Sequence, residues 1–272
     1  MNTLTLRYEV PGDDFSRAGE ASSDVKRKLK QLGYNYIESS LSWLAGLTPA
    51  KTNEYKKLLA DYDLPLPVCN CFFPPDITLS GPNTYSKLIK DFTHNALTRA
   101  KELGVQICVL GSGASRSIPQ DTPFNEGMNQ VAQAVAMIGD IASQYGIIIA
   151  IEPLNRRECN NLNTVKEAAQ LCRQLDNNNI KVLADLYHMN EEKEDWGILE
   201  EINGMLVHIH LSAPDGNHCR FFPAPGDIYD YSPFMSSLRI NGYNKRISIE
   251  ALYRDFDSEA QAAIKMLHQL FN

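Results

Sequence analysis

Short runs of apolar and β-branched residues recur along the chain, and segments with the apolar spacing of helices separate them. We predict a strand in each run, because runs of this length and composition are typical of strands buried in a sheet. The eight predicted strands are Thr3–Val10, Tyr34–Ser40, Leu64–Phe73, Val105–Gly111, Ile147–Leu154, Ile180–Tyr187, Leu206–Ser212 and Arg246–Leu252.

Two of the segments between strands carry an apolar stripe that predicts an amphipathic helix. The stripes consist of Val131, Ala134, Val135, Ile138 and Ala142, and of Ala263, Ile264, Leu267, Leu270 and Phe271. Thr48 precedes Pro49, which predicts a helix N-cap followed by proline at the first helical position. Thr164 and Glu167 have the spacing of a capping box, in which each side chain accepts a hydrogen bond from a backbone N–H of the first turn.

Strand and helix alternate eight times without a linker or a change in composition. This alternation predicts parallel strands joined by crossover helices, and eight units predict a closed (β/α)8 TIM barrel. We expect one catalytic domain over residues 1–272, a length that is common for such barrels. An open, doubly wound sheet is the alternative. Gly111-Ser112-Gly113 follows the fourth predicted strand, but it lacks the full dinucleotide-binding fingerprint and is interpreted as a tight turn.

Each of the last four predicted strands carries, close to its C-terminal end, a side chain that can bind a metal ion: Glu152, Asp185, His210 and Glu250. The C-terminal ends of barrel strands meet at one rim, so these side chains should converge there. Three converging carboxylates would repel one another, and a divalent cation would resolve that conflict. His208 shares the face of His210 but lies deeper, and it is interpreted as a packed or hydrogen-bonded barrel residue.

The alternative for each of these carboxylates is that it merely caps the next helix. Four such residues on successive strands favour a metal site instead. Oxygen ligands with one imidazole suit Mn²⁺, Co²⁺ or Mg²⁺, and thiolate zinc is not indicated.

Several stretches around these residues resemble the xylose isomerase-like sugar isomerases and epimerases, and most of all the D-tagatose and D-psicose (allulose) 3-epimerases, with hydroxypyruvate isomerase nearby. The stretches are IEPLNRRE (151–158), VLADLYHMNEE (182–192), HIH (208–210), Arg220 with FFPAPGD (221–227), ISIEAL (247–252) and, more loosely, GSGASR (111–116). The resemblance implies a metal, usually manganese, cobalt or magnesium, on the same four residues. It also implies substrate contacts from Glu158, His188 and Arg220. In that family the arginine follows the ligand histidine more closely, whereas LSAPDGNHC intervenes here.

The residue types fit proton abstraction next to a carbonyl group. A metal bound to the carbonyl oxygen stabilises the enediolate that forms on deprotonation. Glu152 and Glu250 come from strands three apart, so they can approach a bound sugar from opposite sides. Our hypothesis is that one glutamate removes the proton and the other returns one, which would make the protein a ketose 3-epimerase.

Other functions use similar residues. An aldose–ketose isomerase of the hydroxypyruvate isomerase type and an inosose-type dehydratase share the same deprotonation chemistry. A non-catalytic sugar-binding barrel is a more remote alternative, as is an abasic-site endonuclease with three zinc ions. The endonuclease is disfavoured because the chain has only six histidines and a formal net charge of −7.

The composition of the chain indicates its cellular location and its partners. The six cysteines include no CxxC pair, so we expect reduced thiols. The first ten residues lack the features of a signal peptide, and no window of about 20 apolar residues predicts a membrane span. We expect a cytoplasmic enzyme that binds a small sugar, contacts neither nucleic acid nor membrane, and is a possible homo-oligomer. Five candidates near the first three strands are interpreted as structural and stay outside the predicted site: Arg7, Glu38, Trp43, Asn70 and Phe72.

Overall fold

Eight parallel strands close into a barrel in the computed structural model, which describes residues 4–7 and 23–271. The strands are β1 (Leu4–Arg7), β2 (Tyr36–Ser40), β3 (Val68–Asn70), β4 (Ile107–Leu110), β5 (Ile148–Ile151), β6 (Ile180–Asp185), β7 (Leu206–Leu211) and β8 (Ile247–Ile249). Each strand pairs with its neighbours along the chain, and β1 pairs with β8 to close the ring. The predicted TIM barrel is confirmed, and the open-sheet alternative is wrong.

Long helices alternate with the strands, and short helices lie in some of the loops. In the described part of the chain the helices are α1 (Ser23–Leu32), α2 (Leu41–Ala45), α3 (Pro49–Asp61), α4 (Ser86–Glu102), α5 (Gly113–Arg116), α6 (Phe124–Tyr145), α7 (Val165–Leu175), α8 (Leu186–Glu191), α9 (Ile198–Glu201), α10 (Ser232–Asn241) and α11 (Phe256–Phe271). None of the helices within the described ranges combines the length and apolar character needed to cross a bilayer.

The strands are shorter than the apolar runs that predicted them. The run Leu64–Phe73 contains only the three-residue strand Val68–Asn70. Pro65 and Pro67 precede that strand, and proline has no N–H to donate to a sheet ladder. Residues 3 and 8–10 of the first predicted strand lie outside the described part of the chain.

The helix caps form as predicted. Thr48 caps α3 by accepting a hydrogen bond from the backbone N–H of Lys51, and Pro49 occupies the first helical position. Thr164 and Glu167 form the capping box at the start of α7, with both reciprocal hydrogen bonds present. Such caps satisfy N–H groups that have no partner within the helix.

The apolar residues form two clusters, one outside and one inside the barrel. The larger cluster packs the strands against the helices, and it includes most of both predicted stripes on α6 and α11. The smaller cluster consists of Tyr36, Val68, Ile107, Val109, Ala150, Leu183 and Val207. These strand residues fill the barrel interior, as expected for a small barrel. Between this apolar layer and the C-terminal rim, polar side chains of the strands fill the barrel interior.

Candidate metal centre and substrate cavity

The four predicted metal ligands meet at the C-terminal end of the barrel. Glu152, Asp185, His210 and Glu250 are all at least 95% buried, with exposed fractions of 5%, 1%, 0% and 3%. One potential ligand atom from each lies within 4.8 Å of the others. Nδ1 of His210 is 2.8 Å from Oε1 of Glu152, 2.5 Å from Oε2 of Glu250 and 3.9 Å from Oδ2 of Asp185. These four residues are the ligand quartet below.

The donor set of the ligand quartet fits a hard divalent cation. Three carboxylates and one imidazole offer the oxygen and nitrogen atoms that Mn²⁺, Co²⁺ and Mg²⁺ accept. Cysteine occurs in neither of the two groups of potential ligands found among the described residues. Carboxylates this close are costly to bury unless positive charge compensates them. The residues could therefore hold such a cation.

Gly111, which follows β4, and Gly113, the first residue of α5, make room for the site. A Cβ atom on Gly111 would lie 2.3 Å from Oε2 of Glu152, and one on Gly113 would lie 2.6 Å from the backbone oxygen of Glu158. Any side chain at either position would displace its neighbour, whereas glycine permits this close approach. The segment interpreted as a tight turn is thus also where the backbone packs directly against the site.

Asp185 caps a helix and belongs to the quartet at once. Its Oδ1 accepts hydrogen bonds from the backbone N–H groups of Tyr187 at 2.7 Å and His188 at 3.4 Å, which makes Asp185 the N-cap of α8. Its Oδ2 lies 3.1 Å from Nη1 of Arg220 and 3.9 Å from Nδ1 of His210. Capping, the alternative weighed for each carboxylate, therefore uses only one of the two oxygens here.

A hairpin returns Arg220 to the quartet despite the long connection after His210. Ala213–Pro214 pairs with Arg220–Phe221, and Oδ1 of Asp215 accepts hydrogen bonds from the backbone of Asn217 and Cys219 in the turn. The guanidinium of Arg220 lies 2.9 Å from Oε1 of Glu250, in addition to its contact with Asp185. The extra residues form an ordered turn, so they do not move the arginine away from the site.

His188 and Glu158 meet through one asparagine. Nδ1 of His188 lies 3.2 Å from the backbone nitrogen of Asn155, which donates to it, and 2.9 Å from the side-chain nitrogen. The same Asn155 side chain donates to Oε1 of Glu158 at 3.0 Å. Nε2 of His188 is 3.4 Å from Nη1 of Arg220. His188 and Arg220 therefore lie beside the ligand quartet, and Asn155 connects Glu158 to them.

Burial and neighbouring charges shift the pKa values of the site. Burial disfavours the His210 imidazolium, but Glu38 and Glu152 outweigh this and raise the pKa of His210 to about 10. Burial raises the pKa of Asp185 to about 6, although Arg220 acts in the opposite direction. Burial, supported by the Arg220 charge, holds the pKa of His188 well below its ordinary value, so this imidazole is neutral.

A second polar layer lies beneath the quartet, around the buried carboxylate of Glu38 on β2. Its Oε1 is 3.1 Å from Nε2 of His210, and its Oε2 is 3.2 Å from Nε2 of His208 and 2.5 Å from Oγ of Ser248. His208 is a hydrogen-bonded barrel residue, as expected. Glu38 was interpreted as structural, and its only signal in the sequence is a carboxylate in the middle of the buried strand Tyr36–Ser40.

One more buried side chain, not singled out from the sequence, supports the quartet. Arg116 at the end of α5 is completely buried. Its Nη1 donates to the backbone oxygens of Leu110 at 3.0 Å and Glu152 at 2.9 Å. Arg116 thereby joins the ends of β4 and β5 where Glu152 leaves the sheet.

A cavity of about 830 Å³ opens above the quartet. Its polar lining includes Glu152, Glu158, His188, Arg220 and Glu250, and its apolar lining includes Trp43, Leu47, Phe73, Pro74, Pro75 and Leu154. Among the candidates left outside the predicted site, Trp43 and Asn70 line the cavity, whereas Phe72 is completely buried elsewhere. The side chain of Arg7 lies outside the part of the chain that the structure describes. A largely apolar pocket with a few convergent polar groups is typical of small-molecule sites.

The fold and the site define the class of protein. The sequence model of the family described as the xylose isomerase-like TIM barrel matches residues 27–270, and the chain belongs to that family.

The relatives that match include sugar epimerases. A D-psicose 3-epimerase of Ruminiclostridium cellulolyticum is 28% identical over 233 residues, which cover 84% of this chain and 77% of the relative. An L-ribulose 3-epimerase of Mesorhizobium japonicum is 24% identical over 255 residues, which cover 89% and 80%. A crystal structure of D-psicose 3-epimerase with D-tagatose from Clostridium cellulolyticum H10 superimposes with a TM-score of 0.80 at 25% identity, covering 93% of this chain and 95% of that one. These matches confirm the predicted resemblance and the isomerase class of enzyme.

Proposed function

We propose that this protein is a divalent-metal-dependent ketose 3-epimerase. The proposal rests on one observation: Glu152 and Glu250 bring buried carboxylate oxygens to 2.8 and 2.5 Å from the same nitrogen of His210, at the floor of the cavity. The two glutamates follow β5 and β8, which are separated by two strands in the barrel. Inversion at a carbon needs proton transfer on both of its faces, and a pair of glutamates arranged in this way supports it.

The residues of the quartet would share the chemistry. A divalent cation held by Glu152, Asp185, His210 and Glu250 would polarise the carbonyl oxygen of the sugar and stabilise the charge left by deprotonation. One of the two glutamates removes the proton from C3, and the other returns a proton to C3 from the opposite face. The ketone re-forms, so atoms and charge balance, and only the configuration at C3 changes.

Three neighbouring side chains orient the sugar. Glu158 accepts hydrogen bonds from hydroxyl groups. His188, neutral because burial lowers its pKa, binds a hydroxyl or the polarised oxygen through Nε2. The guanidinium of Arg220 donates to the same region and balances the carboxylates of Asp185 and Glu250. The apolar cavity wall keeps bulk water away from the deprotonated carbon.

The number of catalytic bases in the site favours epimerisation over the alternative reactions. An aldose–ketose isomerase moves a proton between neighbouring carbons on one face, and a single base can do that. A dehydratase needs an acid placed at the leaving hydroxyl group. Two buried glutamates around one centre match a 3-epimerase better, and the names of the relatives agree with this choice.

The test is proton exchange at a defined carbon. The protein is incubated with Mn²⁺ in heavy water with D-psicose, D-tagatose, D-fructose or L-ribulose, and the products are analysed by NMR. Deuterium at C3 together with the 3-epimer is the expected result. An aldose product with deuterium at C2, together with deuterium at C1 of the recovered ketose, would indicate an isomerase, and loss of water would indicate a dehydratase. A protein that binds Mn²⁺ but exchanges no proton would refute the catalytic proposal.

Single substitutions test the two glutamates. Glu152→Gln and Glu250→Gln keep the side-chain shape and remove one carboxylate each. Both variants should remain folded and retain part of their Mn²⁺ affinity, yet turnover should fall by orders of magnitude. Near-normal turnover in either variant at saturating Mn²⁺ would contradict the two-base mechanism. Metal content is measured in each variant, so that loss of metal is separated from loss of a base.

A further inference from the structure

The carboxylate of Glu38 occupies the barrel interior directly behind His210, on the side away from the other quartet members. Oε1 of Glu38 contacts Nε2 of His210 at 3.1 Å, whereas the carboxylates of Glu152 and Glu250 contact Nδ1 of the same ring. Both residues of the Glu38–His210 pair are almost completely buried, with exposed fractions of 4% and 0%.

We infer that Glu38 is a positioning residue for the metal centre: it accepts a hydrogen bond from Nε2 of His210 and thereby directs the lone pair of Nδ1 at the cation. The inference rests on the proposed metal-dependent function. A neutral imidazole carries one N–H group and one lone pair, and its hydrogen-bond partners decide which nitrogen carries which. A carboxylate behind a metal-binding histidine fixes both its tautomer and its ring orientation.

Glu38 is itself held in one orientation. Its second oxygen, Oε2, accepts a hydrogen bond from Oγ of Ser248 at 2.5 Å and lies 3.2 Å from Nε2 of His208. Oγ of Ser248 is in turn 3.2 Å from the hydroxyl of Tyr36. These contacts prevent rotation of the carboxylate, so Oε1 stays on His210. A carboxylate that served only as the hydrogen-bond partner of His208 would not need a second oxygen on the metal-binding ring.

The rival interpretation is a second cation site. Glu38, His208 and His210 also bring potential ligand atoms within 4.8 Å of one another. Here, however, the hydroxyl of Ser248 already donates to Oε2, and Nε2 of His210 lies at hydrogen-bond distance from Oε1. A cation would have to displace these donors. Metal stoichiometry separates the interpretations, since positioning requires one ion per chain and the rival requires two.

The experiment measures Mn²⁺ affinity and not turnover alone. The concentration of free Mn²⁺ is measured by electron paramagnetic resonance while the protein is titrated with Mn²⁺. Glu38→Gln should weaken Mn²⁺ binding about 10- to 100-fold, the usual effect of removing a partner behind a metal ligand. Ser248→Ala, which removes one contact of Oε2, should weaken binding less. Excess Mn²⁺ should restore much of the turnover of Glu38→Gln, because the quartet itself is intact.

Val109→Ala is the matched control. Val109 belongs to the apolar layer inside the barrel, and its side chain has no group that could hydrogen-bond to the metal ligands or to Glu38. It should lower the stability of the fold and leave Mn²⁺ affinity unchanged. If Glu38→Gln does not fold, Ser248→Ala carries the affinity test. Selective ¹⁵N-histidine NMR of the wild type with Mg²⁺ must then show His210 protonated at Nε2.

The possible failures are distinguishable. Wild-type protein that epimerises ketoses and binds one Mn²⁺, with the same affinity after Glu38→Gln, overturns this inference and leaves the proposed function standing. Two ions per chain, or His210 protonated at Nδ1 in the Mg²⁺ form, overturns it as well. Wild-type protein that binds no Mn²⁺ overturns both proposals.

Discussion

Gly111 offers a direct test of how accurately Glu152 must be held. A Cβ atom at this position would lie 2.3 Å from Oε2 of Glu152, and real Cβ contacts below 3.0 Å are essentially never seen. The carboxylate would have to retreat by at least the 0.7 Å between these two distances. Because Oε2 is the far end of a flexible side chain, rotation of Glu152 relieves the clash without moving the barrel.

Gly111→Ala should therefore damage function far more than folding. A misplacement on the order of 1 Å can cost about 10²-fold in rate, so we expect kcat to fall by about that factor. Mn²⁺ affinity should fall as well, because Glu152 belongs to the quartet. The free energy of unfolding should change by less than about 1 kcal/mol, since glycine-to-alanine replacements also reduce the entropy of the unfolded chain.

Two other glycines provide controls, assayed by steady-state kinetics, Mn²⁺ titration and urea unfolding. On α6, Gly139→Ala would bring Cβ within 2.6 Å of the Ile180 side chain, away from the site. It should cost about 1–3 kcal/mol of stability with normal turnover per folded molecule. For Gly197→Ala the nearest atom is 3.4 Å away, and we expect little effect. Wild-type turnover in Gly111→Ala, or equal loss of turnover in Gly139→Ala, would refute the reasoning.

Three further predictions concern charge and capping. Without metal, the free energy of unfolding should fall between pH 7 and 9 by up to about 1.4 kcal/mol per pH unit, because folded His210, with a pKa of about 10, keeps a proton that the unfolded chain releases near pH 6.5. Urea unfolding that is independent of pH would contradict this prediction. Bound Mn²⁺ should make the unfolding free energy less dependent on pH, because it replaces the proton. Arg220→Ala should raise KM for the ketose about tenfold or more, because a hydrogen bond from a charged group to the substrate is lost and its free energy corresponds to a factor of that size. Its Mn²⁺ affinity should stay equal or increase, because Asp185 and Glu250 lose a competing cation, and weaker Mn²⁺ binding would be the contrary result. Thr164→Ala should lower the unfolding free energy by about 1 kcal/mol through loss of the α7 cap, with kcat/KM unchanged.

The quartet was predictable because chain order and topology are linked in this fold. Parallel strands of a barrel expose their C-terminal ends at one rim, so a residue that ends a strand has a known location before any contact is known. Glu152, Asp185, His210 and Glu250 could be assigned from that rule alone. Exact strand bounds were not needed, and the shortening of the third strand to Val68–Asn70 left the prediction intact.

The features that the sequence left unpredicted depend on contacts that local pattern does not reveal. Glu38 lies 172 positions before His210 in the chain, and no periodicity connects them. The importance of Gly111 depends on where Glu152 turns, which is a property of the packed loop. The return of Arg220 to the quartet depends on a hairpin whose turn is held by Asp215, and the length of the loop alone did not reveal that turn.

The charges around the quartet give a physical reason for a divalent ion. Glu152, Asp185 and Glu250 supply three negative charges in a buried region, and the guanidinium of Arg220 contacts two of these carboxylates. These four side chains leave two negative charges, which one divalent cation would neutralise, and the carboxylate of Glu38 adds a further negative charge beneath His210. The carboxylates of Glu38 and Glu152 raise the pKa of His210 to about 10 against the cost of burial, so the His210 proton compensates part of this charge when no metal is bound. Metal binding should therefore displace this proton, with an affinity that weakens as the pH falls. Glu38 lies at the opposite edge of the ring, where its charge favours the N–H at Nε2 and would leave Nδ1 available to a metal.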